Sequence, residues 1–170
     1  MLIAMTTSDT QDYVSDLDPC KKTEQVLIDE TDASKGSKPK VTISAGATVF
    51  KIRSLDVFLK GYIYDNAQTL SGREGSADIN ILTRVNQTNI DSVRHGLVGF
   101  VNFTDSKGDQ MKFTTQKVIV NGRSYDVASD AVMNSLGIIL VQEMATQIKG
   151  LSEVTAGEEK NSEGVSQPSA

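Results

Sequence analysis

Apolar and polar positions alternate in two rhythms along the chain. Val41, Ile43 and Ala45 alternate with Thr42 and Ser44, Gly46-Ala47 supplies a turn, and Val49 to Arg53 resumes the alternation. A period of two predicts strands, so this stretch is expected to be a hairpin with Phe50 and Ile52 on one face and Lys51 and Arg53 on the other. Leu55, Phe58, Leu59, Tyr62 and Ile63 then recur at helical spacing behind Ser54, a good N-cap, with Asp56 placed against the helix dipole. Residues 77 to 95 read as a second helix carrying Leu82, Val85, Ile90 and Val93, stopped by Gly96.

From Gly96 the pattern returns to strands. Gly96 to Phe103, a turn at Asp105-Ser106-Lys107-Gly108 and Met111 to Phe113 predict a central hairpin. Asn121-Gly122, between Val118-Ile119-Val120 and Arg123 to Val127, is the strongest local signal, because Asn-Gly accepts the two positive φ angles of a type I′ turn. Ser129 caps a short helix that ends near Ser135, and Gly137 breaks it. A last helix sets Leu140, Val141, Met144, Ala145, Ile148 and Leu151 on one side and Gln142, Glu143, Thr146, Gln147 and Lys149 on the other.

The sum is an α+β fold: small antiparallel β-hairpins packed with three to four short helices. One domain is expected over 39–152, between an acidic, disordered leader at 1–38 and an acidic, disordered tail at 153–170. The leader carries Asp9, Asp12, Asp16, Asp18, Glu24, Asp29, Glu30 and Asp32, with apolar residues only in groups such as Val26-Leu27-Ile28. Such a segment does not offset a backbone ordering entropy of about 1–2 kcal/mol per residue.

Charge and composition remove several functions. The net charge is −5, with scattered lysines and arginines, which makes a poor counter-ion for nucleic acid. The longest apolar run, Ile138 to Val141, is far short of a membrane span. Cys20 is the sole cysteine and His95 the sole histidine, so no intramolecular disulfide, zinc cluster or catalytic triad can be assembled. His95, beside Arg94 at a helix end, is explained by the C-terminal dipole. Gly72-Arg73-Glu74-Gly75 lacks the ending of a phosphate-binding loop, and Asp105 and Asp109 lack the spacing of a calcium loop. No catalytic, cofactor-binding or metal-ligating residue is assigned, and the chain is expected to act by touching other proteins.

Three stretches carry a family resemblance. Gly96-Leu97-Val98-Gly99-Phe100-Val101-Asn102-Phe103-Thr104-Asp105 with Gly108 comes first, followed by a Phe. Ser129-Asp130-x-Val132-Met133-x-x-Leu136 is next, then Glu143-Met144-Ala145-x-x-Ile148 with Leu151. Together with Glu158-Glu159-Lys160-Asn161-Ser162, they resemble small proteins encoded among the tail and head–tail genes of tailed bacteriophages, often tail assembly chaperone-like. The likeness spans roughly 41–162, and its motifs are packing and turn residues. The acidic leader departs from it, as does Gly137 where a Pro would more usually start the last helix.

The resemblance implies a chaperone-like factor of tail morphogenesis in the host cytoplasm, shielding apolar stripes of a tape-measure or tail tube protein. The alternative is a virion structural subunit (tail, head–tail or capsid surface) that contacts neighbouring virion subunits. A small host-interaction protein using acidic mimicry of nucleic acid is a third class. Candidate partner contacts are Phe100, Phe103, Leu140, Met144 and Ile148, all of which also suit a core.

Overall fold

The computed structural model describes residues 9–27, 37–68 and 77–152. Its elements are β1 (Thr10–Tyr13), β2 (Lys21–Leu27), β3 (Ser37–Ile43), β4 (Val49–Arg53), α1 (Val57–Gln68), α2 (Ala77–Gly96), β5 (Leu97–Val101), β6 (Thr115–Val120), β7 (Arg123–Ala128), α3 (Asp130–Ser135) and α4 (Ile138–Leu151). The fold is α+β, and every strand pair is antiparallel. The strands form a three-stranded sheet in the order β1-β4-β5 and two separate ribbons, β2-β3 and β6-β7.

Strand β4 is the centre of the sheet and behaves as its alternation predicts. Phe50 and Ile52 are buried, and Lys51 reaches across the outer face to Asp12 of β1 at 3.2 Å. Its pairing partners differ from the sequence reading. Val41 to Ala45 does not form a hairpin with Val49 to Arg53; β3 ends at Ile43 and pairs with β2, while β4 takes β1 and β5. Residues 9–27 are likewise not an unordered leader. Thr10–Tyr13 supplies the sheet edge, and a domain start at 39 would cut through β3. The remainder of the leader, most of the 66–76 loop and the tail at 153–170 lie outside the described residues.

The core gathers Phe50, Ile52, Leu55, Ile63, Val93, Leu97, Val132, Val141, Met144 and Ile148 from both sheet and helices. Of the predicted stripe, Leu55, Leu59 and Ile63 are buried, but Phe58 and Tyr62 stay exposed, so three of its five residues are core. The cap of α1 is Asp56, not Ser54. Its Oδ1 accepts from the N–H groups of Phe58 and Leu59, both at 2.9 Å.

The inward side of α2 is unexpectedly polar. Thr88, Ser92 and His95 are buried at helical spacing beside Asn89 and Val93. Ser92 satisfies itself by donating to the Thr88 carbonyl at 2.7 Å, and Asn89 accepts from Lys149 of α4 at 2.6 Å. Gly96 also differs from its predicted role. It is not among the residues with positive φ, so it does not end α2 by a left-handed turn. It is required because Ile148 lies against it: a Cβ built on Gly96 would come within 2.7 Å of Ile148 Cγ2.

The hairpin chemistry downstream is as predicted at the turns. Asn121 and Gly122 have φ of 48° and 76°. Gly108 has φ 87°, and the Asp105 carboxylate accepts from the N–H groups of Lys107 and Asp109. The central hairpin itself is reduced to a bridge between Thr104 and Gln110, because β5 pairs with β4 rather than with 111–113. Ser129 caps α3 by accepting from Val132, and Gly137 precedes α4.

Candidate functional site

Two recesses on the described surface warrant a chemical reading. The first begins with a backbone irregularity. In a continuous strand Phe100 and Phe103, three residues apart, would face opposite sides. Asn102 prevents this. Its φ is 59°, a left-handed conformation that Asn tolerates best among non-glycine residues. It is held there by donation from its side-chain amide to the Ala47 carbonyl (3.1 Å) and by Thr48 Oγ1 donating to its own carbonyl (3.1 Å). The kink returns Phe103 to the side of Phe100, where the two rings meet edge-on at 5.1 Å. Phe50 lies 5.5 Å from Phe103, and Phe113 lies 5.4 Å from Phe100. Edge-to-face pairs of this kind are worth about 0.5–1.5 kcal/mol beyond burial.

Beside this cluster lies an open, mainly apolar groove of about 210 Å³, walled by Leu17, Pro19, Phe103 and Leu140, with Phe50 as its floor. Polar atoms fix its near wall. Glu143, one helical turn beyond Leu140, accepts from the backbone N–H of Asp16 at 2.6 Å and from the Ser15 hydroxyl. Asp18 accepts from the N–H groups of Cys20 and Thr48, both at 2.7 Å. Partial burial pushes the Asp18 carboxyl up, but these donations outweigh it and hold it below the usual carboxylate value. Tyr13 is partly buried beside the Glu143 carboxylate, and desolvation together with that neighbouring negative charge pushes its phenol well above the ordinary value. The groove is smaller than the roughly 300–1,000 Å³ of small-molecule sites and suits one or two anchoring side chains.

The predicted contact residues divide here. Phe103 and Leu140 line the groove, and Phe100 backs Phe103. Met144 and Ile148 are fully buried, so they are core and offer no surface to a partner. Sequence reasoning missed Leu17, 60% exposed at the lip, because it sits in a polar segment. The available signal was Asp18-Pro19, a turn-initiating pair.

The second recess is larger, about 770 Å³, between α1, α2 and β6, and is lined by Tyr62, Gln87, Asp91, Arg94, His95 and Ile119 among others. His95 is buried. Its Nδ1 is 2.9 Å from the Asp91 carbonyl, which can only accept, so Nδ1 carries the proton. Nε2 has no hydrogen-bond partner among the described residues, and the ring stands edge-on to Tyr125 at 6.0 Å. The neighbouring charged groups have partners of their own: Arg94 pairs with Asp130 at 2.6 Å, and the Asp91 carboxylate accepts from the Gln87 side-chain amide at 2.9 Å. Among the described residues no group of three or more His, Cys, Asp or Glu could hold a metal ion. No described helix is long and apolar enough to cross a membrane.

Comparison of the chain with protein-family models, curated proteins and solved structures finds no match.

Proposed function

We propose that this chain is a non-enzymatic protein of tailed-bacteriophage tail morphogenesis, a tail assembly chaperone-like factor working in the host cytoplasm. The observation that carries the reading is the open apolar groove at Leu17, Phe103 and Leu140, lying next to a rigid aromatic cluster. A tape-measure protein is long and helical, and its apolar stripes aggregate when unpaired. One or two side chains from such a stripe fit the groove, and a protein of net charge −5 keeps the complex dispersed. The phage context comes from the sequence resemblance; the groove supplies the mode of action, with no nucleic acid, membrane or cofactor involved.

Co-expression tests it. The tape-measure or tail tube protein of the same phage is expected in the soluble fraction only when this chain is present. Leu17→Ser with Leu140→Ser is expected to return that protein to the pellet. A client equally soluble without this chain, or with the doubly substituted one, would sink the proposal.

A second reading, a virion structural subunit, is favoured by the β2-β3 ribbon, which forms its own two-stranded sheet and has no substantial packing against any other described element. Mass spectrometry of purified mature particles separates the two. A chaperone is absent from particles, whereas a structural subunit is present in stoichiometric amount.

A further inference from the structure

Helix α2 turns two hydrogen-bond acceptors toward the larger recess. Asp91 and His95 both line it, one helical turn apart, so their side chains stand side by side with Cβ atoms about 5–6 Å apart. His95 is only 5% exposed. Its Nδ1 is turned back along α2 to the Asp91 carbonyl, so Nε2 lies on the ring edge that faces away from that carbonyl. With the proton on Nδ1, Nε2 can only accept, and no described residue donates to it. A buried acceptor without a donor is costly to keep, which makes this one a place for a donor from outside.

The Asp91 carboxylate also has capacity left. It takes one bond, from Gln87 to Oδ1, where a carboxylate accepts about four. The cations near it are committed elsewhere: Arg94 pairs with Asp130, and Arg53 donates to the His95 carbonyl at 3.3 Å and does not line the recess. Among the described residues the recess therefore holds one uncompensated negative charge. Its opposite side is apolar, built from Tyr62 and Ile63 of α1 and Val118 and Val120 of β6, with the Tyr62 ring partly exposed.

We infer that this recess binds a small organic amine, held as its ammonium ion by Asp91 and His95 Nε2, with an apolar body against α1 and β6. An ammonium group carries three N–H donors and no acceptor, which matches a pair of groups that only accept. Its charge-assisted bonds are about 2.7–2.9 Å long, so one nitrogen spans two acceptors on adjacent turns. A neutral alcohol brings a single donor and leaves one acceptor unpaired, an anion is repelled by Asp91, and a purely apolar molecule satisfies neither group. The volume, about 770 Å³, lies in the range of small-molecule sites and exceeds what one ordered water needs. Tyr62 offers an aromatic face to the cation or to the apolar body.

The inference does not rest on the tail-assembly reading. The recess lies on α1, α2 and β6, whereas the groove lies at Leu17, Phe103 and Leu140, so the two proposals fail separately.

The test titrates the full chain with 2-phenylethylammonium at about pH 8, where an aliphatic amine stays charged. Calorimetry gives the affinity, and nitrogen-15 spectra follow the imidazole. His95 is the sole histidine, so its ring signals are identified without further assignment. Saturable one-to-one binding is expected, with the Nε2 signal moving in step. On the parent chain, 2-phenylethanol is expected to bind about tenfold more weakly or less, and 3-phenylpropionate not at all. Asp91→Asn should weaken the amine about tenfold and leave the alcohol unchanged, with the circular dichroism melting curve at the parent temperature. Should that variant melt early, the three ligands on the parent chain still decide.

Equal affinity for the amine and the alcohol overturns the inference, because the recess would then be merely apolar. So does an amine that saturates without moving the Nε2 signal, which would place its nitrogen elsewhere. Absence of saturable binding at millimolar amine overturns it as well, and leaves an ordered water as the donor to His95.

Discussion

Replacing Gly96 by Ala adds a single methyl group, and the structure fixes where it goes. It would sit 2.7 Å from Cγ2, 2.8 Å from Cδ1 and 3.0 Å from Cγ1 of Ile148, a fully buried β-branched side chain. Three approaches at or below 3.0 Å to a stiff side chain in a closed core place the substitution in the upper part of the overpacking range, about 2–3 kcal/mol. Opposing this, Ala in place of Gly at a helical position gains roughly 0.4–1 kcal/mol. The net expectation is a loss of about 1–2.5 kcal/mol, or roughly 2–10 °C in Tm for a chain of this size. Urea unfolding followed by far-ultraviolet circular dichroism measures it directly. The mechanism is tested by repeating the change in an Ile148→Ala background. All three opposing atoms are then gone, and Gly96→Ala should turn neutral or mildly stabilising although Ile148→Ala itself costs about 2–5 kcal/mol. A stable Gly96→Ala single variant, or an equal loss in both backgrounds, would refute the close-approach reasoning.

Other substitutions give independent checks. Gly122→Ala forces a side chain into φ 76° and is expected to destabilise by about 1 kcal/mol in the same unfolding assay. Ser129→Ala removes the acceptor for the Val132 N–H and should cost about 1 kcal/mol, with Ser129→Asp largely restoring it. Asp18 has a lowered pKa in the fold, so its contribution is present above the unfolded value of about 3.9 and disappears as pH falls through the lower folded value. Asp18→Asn should therefore flatten the acid limb of a stability–pH curve below about pH 4. Tyr13 has a raised pKa, so its contribution is present below the unfolded value of about 10 and is lost as pH rises beyond it. Tyr13→Phe should shift alkaline unfolding to higher pH.

Features set by neighbouring residues were legible in the chain. Asn121-Gly122 makes its turn from its own φ preferences, Ser129 caps the helix that follows it, and Val141, Met144, Ala145 and Ile148 of α4 are buried as their spacing requires. What failed was partner choice over long separations. The sequence Thr10-Gln11-Asp12-Tyr13 is too polar to read as a strand, yet it pairs with β4, and residues 15 and 16 are held by Glu143 more than a hundred positions away. Sequential neighbours made Val41 to Ala45 the apparent mate of Val49 to Arg53, and β1 took that place. The inward polar row Thr88, Ser92 and His95 was invisible to a search for apolar periodicity. Half of the groove was legible, since Phe103 and Leu140 stood out as apolar, whereas Leu17 lay in a stretch read as solvated.

The hydrogen bonds that close the body join its extremities. Leu55 donates its N–H to Ser152 Oγ at 3.0 Å, Lys60 reaches the Ser152 carbonyl, and Glu143 secures residues 15 and 16. During synthesis the first strand and its sheet partners leave the ribosome long before α4, the element that covers them. The aromatic residues of β4 and β5 therefore wait uncovered until the last described helix has emerged, and translation speed through that final stretch sets how long the nascent chain is vulnerable to aggregation.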